Sequence, residues 1–295
     1  MKKALKRCFA LIFTFTFIFL ILAVPTSASY TKEEFRLSGV GNKNLYSYTP
    51  KEIYIEGAKL SEQARIIGSH VYLPLRAFTA ATVDGASIVY DSKSRTMTVN
   101  AAGITLSATD GAYVVWANGR PLFSTSPVTI LSNGRMYVPL GTLTKAFGLS
   151  SAEVSGGVRI SGSYSPLTPA AEFYREDEVF WLARIISAES RGESLIGQIA
   201  VGGVVLNRVD SGDFPNTIYS VIFDRKYGVQ FTPVANGTIY NTPGYTETLA
   251  AKICLEGTRL SDEVLFFLSP GHSTSFWIIN TRKYAFSIGG HDFFE

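Results

Sequence analysis

The chain has 295 residues, 46% of them apolar and 17% charged. That balance excludes a mainly disordered polypeptide and is long enough for two domains, each with its own core. Its 27 basic residues against 24 acidic ones give a formal charge of +3, with no dense basic stripe of the kind nucleic acid requires.

The first 28 residues read as an export signal. Lys2, Lys3, Lys6 and Arg7 lead an apolar run from Phe9 to Val24, and Thr26-Ser27-Ala28 supplies small residues for cleavage. The run is slightly long for a signal, so an uncleaved anchor is the alternative. Cys8 precedes the apolar run, which leaves Cys254 alone beyond the leader and no internal disulfide. With no further cysteine and only His70, His272 and His291, neither a structural zinc site nor a cofactor is expected. No later segment reaches 18 apolar residues, so no other span and no transmembrane partner is expected. Beyond the leader the charge is 23 basic against 24 acidic, and it is unevenly shared. Residues 29–175 carry 14 basic and 10 acidic side chains, and residues 176–295 carry 9 and 14. A mildly basic first module beside an acidic second one suits an anionic polymer held by one and cut by the other; ordinary scatter is the plain alternative.

From Lys51 to Ser161 the pattern is β-rich and duplicated. Val71-Tyr72-Leu73-Pro74-Leu75-Arg76-Ala77-Phe78 recurs 65 positions on as Met136-Tyr137-Val138-Pro139-Leu140-Gly141-Thr142-Leu143. Each copy reads as a short strand whose proline ends ladder pairing, then a short helix, over Arg76–Ala81 and Thr142–Phe147. Further strands are expected at Ile88–Tyr90, Thr96–Val99 and Tyr113–Trp116, with hairpin turns at Asn118-Gly119 and Asn133-Gly134. No acid, base or nucleophile cluster accompanies the repeat. The two Tyr-(Leu/Val)-Pro-Leu units, with Gly85-Ala86-Ser87 and Tyr90-Asp91, resemble the copper amine oxidase N-terminal-like domain over residues 51–161. The resemblance implies a wall-associating or partner-binding module and no copper chemistry, since a lone His70 makes no copper site.

A Gly-, Ser- and Pro-rich stretch follows, and residues 162–175 are assigned as a flexible linker. Residues 176–295 form the second domain, where helical periodicity takes over. Helices are expected over Glu176–Ala188, Leu195–Val209 and Glu247–Leu255, and the aromatic tail from Val264 to Phe294 reads as strands and loops around a cleft. Val179, Leu182 and Ile186 recur at helical spacing, and the next position on that stripe is Glu189. A carboxylate on a core-facing stripe is costly unless paired, neutral or useful. Gly192 supplies a helix stop just beyond it, so Glu189 is expected at a helix end, facing a cleft and holding a proton.

Ser187-Ala188-Glu189-Ser190-Arg191-Gly192-Glu193, Val205-Leu206-Asn207-Arg208-Val209, Gln230-Phe231-Thr232-Pro233, Ser275-Phe276-Trp277 and Ile288-Gly289-Gly290-His291 together resemble the SleB-type cell wall hydrolases, the spore cortex-lytic family. The resemblance implies an α+β chain in which the β-rich duplicated module joins a mostly helical, lysozyme-like catalytic domain. It also implies cleavage of peptidoglycan glycan strands, with Glu189 as the catalytic acid. Ser190 and Ser269 stand where the family more often has Ala and Asn. Glu193 is the candidate second carboxylate, weighed against a part in capping the next helix. Thr232, Trp277, Phe231 and Tyr240 are candidate sugar contacts, with a core role favoured for Phe231. Asn207 and His291 read as structural.

The chemistry asks for an acid that is neutral near pH 7. A water-using muramidase needs two carboxylates at a set separation. A lytic transglycosylase needs one, because the muramic 6-hydroxyl attacks its own anomeric carbon. The transglycosylase reading is preferred over the muramidase, and a non-catalytic wall-binding scaffold is the rival from outside the enzymes.

Overall fold

The computed structural model describes residues 48–226, 228–271 and 277–295. The expected leader, together with His272, Ser275 and Phe276, lies outside the described residues.

The first unit opens with strands β1 (Tyr48–Ile55), β2 (Ala58–Lys59), β3 (Ala64–Ile67) and β4 (His70–Pro74), then helix α1 (Leu75–Thr82). A meander follows: β5 (Ser87–Asp91), β6 (Thr96–Ala101), β7 (Ile104–Thr109), β8 (Val114–Ala117) and β9 (Arg120–Phe123). Then come β10 (Thr129–Ile130), β11 (Met136–Pro139), helix α2 (Leu140–Phe147), β12 (Ser150–Val154) and β13 (Gly157–Ser161). One sheet runs β10-β11-β4-β3-β1-β13-β12 with β2 on its side, and the meander forms a second sheet. β1 changes partner midway, from antiparallel β3 at Tyr48–Lys51 to parallel β13 at Glu52–Ile55.

The sequence repeat becomes a direct pairing. β4 and β11 lie antiparallel with Leu73 opposite Val138, Tyr137 opposite Pro74 and Pro139 opposite Tyr72. The prolines therefore sit inside the paired register at the last strand position, and each also precedes a helix, where its missing N–H costs nothing. At the β8–β9 turn Asn118 (φ 51°) and Gly119 (φ 76°) both take left-handed backbone, as a two-residue type I′ hairpin demands. Asn133-Gly134 instead sits in a longer loop between β10 and β11. The core of this unit gathers Leu73, Leu75, Phe78, Leu106, Val138, Leu143, Phe147 and Ile160, all fully buried.

The second unit contains helices α3 (Ala170–Phe173), α4 (Glu176–Ser190), α5 (Leu195–Asp210), α6 (Ile218–Ile222), α7 (Thr232–Asn236) and α8 (Tyr245–Leu255). Strand β14 (Phe266–Leu268), helix α9 (Trp277–Thr281) and strands β15 (Tyr284–Ile288) and β16 (His291–Phe294) complete it. β16 lies between β14 and β15 in a small antiparallel sheet. α5 is buried from Leu195 to Arg208 on nearly every side, as expected of a helix apolar all round. It packs closely against α4 and α8 at Gly202, where an added methyl would meet Cys254 Sγ and Ile186 Cδ1 at 2.8 Å each.

The stretch assigned as a flexible linker is instead held along its length. Tyr164 Oη donates to the Ala102 carbonyl at 2.6 Å, Ser165 N donates to Phe147 O, and Asn118 Nδ2 donates to Leu167 O. Tyr164 and Leu167 add apolar anchors against the first core, so the small and turn-forming residues of this segment do not leave it loose. The two units also meet directly. Glu256, just past α8, accepts from Arg120 Nε at 2.7 Å, from Arg120 Nη2 at 2.9 Å and from Tyr174 Oη at 2.6 Å. Lys145 lies 3.1 Å from the same carboxylate, and the Phe173 ring covers the Arg120 guanidinium at 3.3 Å. Val114, Trp116 and Phe123 of the meander pack against the helical core.

Candidate active site

α4 begins with Glu176, Asp177 and Glu178, which suit the positive end of the helix dipole, and buries Leu182, Ile185 and Ile186. It ends at Ser190, and Gly192 (φ 93°) turns the chain through a left-handed conformation that other residues rarely adopt. Glu189 thus occupies the last turn, one helical step beyond Ile186. It is half-buried, and no described hydrogen bond or ion pair engages its carboxyl. Burial pushes its pKa from an ordinary 4.5 up to about 7, against the opposing pull of the Arg208 charge.

Arg208 stands within the Val205-Leu206-Asn207-Arg208-Val209 motif but has no predicted part in the site. It sits one position beyond Asn207 on α5, only 5% exposed, and its guanidinium lies over the rings of Phe214, Phe231 and Phe266 at 5.0, 5.2 and 5.5 Å. Nε donates to Leu265 O at 2.8 Å, while Nη1 is buried without a hydrogen-bond partner. Desolvation lowers its pKa to about 10, so it stays a cation at neutral pH. The one available clue was a charge at the end of an otherwise apolar helix. Its function could not be read from that, because the three rings come from three other segments.

Glu193 takes a different place from Glu189. Its Oε1 accepts from Gly290 N at 3.1 Å and lies 3.7 Å from His291 Nδ1. A side chain on Gly289 (φ 57°) would fall 1.7 Å from Glu193 Oε2, so the Gly289-Gly290 turn between β15 and β16 closes around this carboxylate. Ser194, not Glu193, caps α5, accepting from Gly197 N at 3.3 Å. The capping role expected of Glu193 is therefore replaced by a tertiary one, holding the β15–β16 hairpin to the start of α5.

The candidate sugar contacts divide by exposure. Phe231 is 3% exposed and belongs to the helical core under Arg208, so its ring offers no face to solvent. Thr232 is exposed at the first position of α7. Trp277 is half-exposed at the start of α9, edge-on to Phe266 at 5.9 Å. Tyr240 is 62% exposed and stands 6.3 Å from the Trp181 ring. Arg184 of α4 and Arg191 just past its end hold the loop that carries it: Arg184 Nη1 donates to the carbonyls of Tyr240 and Asn241, and Arg191 Nη2 to that of Thr242 at 2.9 Å. Asn207 Nδ2 donates to Ser261 O and Val264 O, both at 2.8 Å, and so fixes the approach to β14. His291 is buried beside Phe267, at 5.6 Å between rings.

A Cell Wall Hydrolase family model matches residues 192–294, beginning three residues past Glu189, and a Copper amine oxidase N-terminal domain model matches residues 54–155. A spore cortex-lytic enzyme of Bacillus cereus is 40% identical over 120 residues, which cover 41% of this chain and 45% of that protein. The cell wall hydrolase CwlJ of Oceanobacillus iheyensis is 31% identical over 111 residues, covering 35% of this chain and 77% of that protein. The catalytic domain of the germination-specific lytic transglycosylase SleB from Bacillus anthracis is 38% identical, covering 41% of this chain and 97% of that one, with a TM-score of 0.38. Through its helical unit the chain belongs to the cell wall hydrolase family. It spans about 45% of the length of the Bacillus cereus relative, and the β-rich unit is a mixed-sheet module of the copper amine oxidase N-terminal type.

Proposed function

We propose that this chain is an exported enzyme of the cell envelope that cleaves the glycan strand of peptidoglycan as a lytic transglycosylase, with Glu189 acting first as acid and then as base. The observation that carries the reading is an unpartnered, half-buried carboxyl whose pKa sits at about 7, in a chain of the cell wall hydrolase family. In its neutral form Glu189 gives its proton to the glycosidic oxygen as the bond from the muramic C1 breaks. The carboxylate left behind then takes the proton of the same sugar's 6-hydroxyl, whose oxygen closes on C1 to form a 1,6-anhydro ring. Glu189 ends neutral again and no water is consumed. Holding the 6-hydroxyl near C1 makes the second step intramolecular, so no second carboxylate has to position a nucleophile. The engagement of Glu193 with the Gly289-Gly290 turn supports this over the two-carboxylate muramidase. Thr232, Trp277 and Tyr240, all exposed, are proposed to contact the sugar rings, with aromatic faces against pyranose faces. The leader of residues 1–28 is proposed to carry the chain across the membrane, and the boundaries at 51–161 and 176–295 to separate wall association from cleavage.

Mass analysis of muropeptides released from purified peptidoglycan tests the reading. Anhydromuramic products are expected, with release by Glu189→Gln lower by about 10²-fold or more and release by Glu193→Gln limited mainly by lost stability. Reducing muramic ends together with a folded, inactive Glu193→Gln would instead establish the muramidase. Near-normal release by Glu189→Gln would remove Glu189 from the chemistry.

A further inference from the structure

The β-rich unit contains a groove of about 410 Å³ that fold stability alone does not explain. It lies where β4 and α1 of the first repeat copy, β11 of the second and strands β5 and β6 of the meander converge. Met97 and Met136, 7% and 3% exposed, form an apolar floor. Three guanidiniums, those of Arg76, Arg95 and Arg135, stand on its walls with Tyr90 and Glu62.

Their pairing leaves this groove short of anions. Arg95 is held by Asp110, and Arg135 meets Glu62 with Nε 2.7 Å from Oε2, its side chain half exposed. Arg76 is exposed and none of the described hydrogen bonds or ion pairs engages it. The internal duplication provides a control within the chain. The position equivalent to Arg76 in the second copy is Gly141, and α2 forms there without a cation. The strand–proline–helix unit therefore does not require an arginine at that place.

We infer that this groove binds a short peptide carrying free carboxylates, the stem peptide of peptidoglycan, with Arg76 and Arg135 gripping the carboxylate. The planar fork of a guanidinium matches a carboxylate in two parallel hydrogen bonds. The methionine floor accepts the methyl and methylene groups of such a peptide, as flexible thioethers fill irregular apolar contacts. Glu62 puts a carboxylate on the same wall, beside which a free amino group of the peptide can lie. A poly(glycerol phosphate) chain fits less well: it brings no apolar side chains to the floor and no amino group to Glu62. The choice of this peptide rests on the proposed peptidoglycan substrate, whereas the anion-binding groove itself does not.

Calorimetric titration of the full chain with an alanyl-glutamyl-diaminopimelate tripeptide tests the inference, beside its carboxamide form and poly(glycerol phosphate). The tripeptide is expected to bind, and either amidation or Arg76→Gln to weaken it by about tenfold, the worth of one charge-assisted contact. Arg76→Gln removes no described contact, so its thermal midpoint and its turnover on peptide-free glycan fragments should match the parent chain. Arg135→Gln repeats the test at a second position. Equal tripeptide binding by the parent chain and both variants, or no binding by the parent chain, would overturn the inference. So would poly(glycerol phosphate) binding that exceeds tripeptide binding and is lost in Arg76→Gln. Tripeptide binding without any muropeptide release would overturn the enzymatic proposal and leave the groove standing.

Discussion

At the residue scale the decisive contrast lies between two glutamates four positions apart. Glu193 is tied to a turn, and Glu189 is not tied to anything described. Burial without a partner is what raises the pKa of Glu189 to about 7, since desolvation penalises the charged form. Two pH dependences follow. With Glu189 as the proposed acid of glycan cleavage, turnover should fall as pH rises through about 7, and the falling limb should vanish from the residual rate of Glu189→Gln. For folding, a raised carboxyl pKa means that the native state binds the proton more tightly than the unfolded one. The resulting stabilisation is complete below the ordinary value of 4.5 and is lost as pH rises through about 7. Thermal midpoints measured from pH 5 to pH 8 should therefore show Glu189→Gln gaining on the parent chain as pH increases. A constant gap over that range would place the carboxyl in water rather than partly buried.

At the element scale α5 is the scaffold on which the site is built. It fixes Arg208 and Asn207 on one end, meets Glu193 at the other, and presses against α4 and α8 through Gly202. A glycine in mid-helix ordinarily costs about 1 kcal/mol relative to alanine. Here the gap is filled by Cys254 Sγ and Ile186 Cδ1, the latter one helical step before Glu189. Cys254 is fully buried with its sulfur 3.4 Å from Ile199 O, and burial pushes its thiol pKa up to about 12, which makes it a packing residue rather than a nucleophile. Gly202→Ala should thus lose more to overpacking than it gains in propensity, a net destabilisation of about 1–3 kcal/mol by chemical denaturation. Because the added methyl presses on Ile186 of α4, the helix that carries Glu189, turnover should drop with it. An alanine variant as stable as the parent chain would mean that the three helices separate more easily than their contacts imply.

At the scale of the whole molecule the two units share a buried charged contact. The Glu256 carboxylate is 1% exposed and the Arg120 side chain 5%. The acid stays ionised despite its burial because Arg120, Tyr174 and Lys145 bond to its charged form, and its pKa lies below the ordinary carboxyl value. Removing one member of such a pair strands the other, at a cost of about 3–5 kcal/mol. Arg120→Ala should therefore lower the stability of the helical unit, 136 positions away in sequence, and Arg120→Met with Glu256→Gln should recover much of the loss. Differential scanning calorimetry on the full chain reads both. If Arg120→Ala leaves the helical transition unmoved, the units are energetically independent. The same contact makes a fragment beginning at Glu176 less stable than the intact chain, since Glu256 would lose Arg120, Lys145 and Tyr174.

Much of this was legible in the order of residues. The repeat at Tyr72 and Tyr137, the Asn118-Gly119 turn, the helices at Glu176 and Leu195 and the position of Glu189 on an apolar stripe all depend on neighbours a few residues away, where backbone preferences and periodicity act. The site's surroundings did not depend on such neighbours. That Glu193 serves a turn 97 positions on, that Arg208 is roofed by three phenylalanines, and that Arg120 finds Glu256 were decided only by tertiary structure. The physical reason is the same in each case. Local sequence sets which face of a helix is apolar, but whether a charge on that face is paired, stranded or left proton-bound depends on what the rest of the chain brings to meet it.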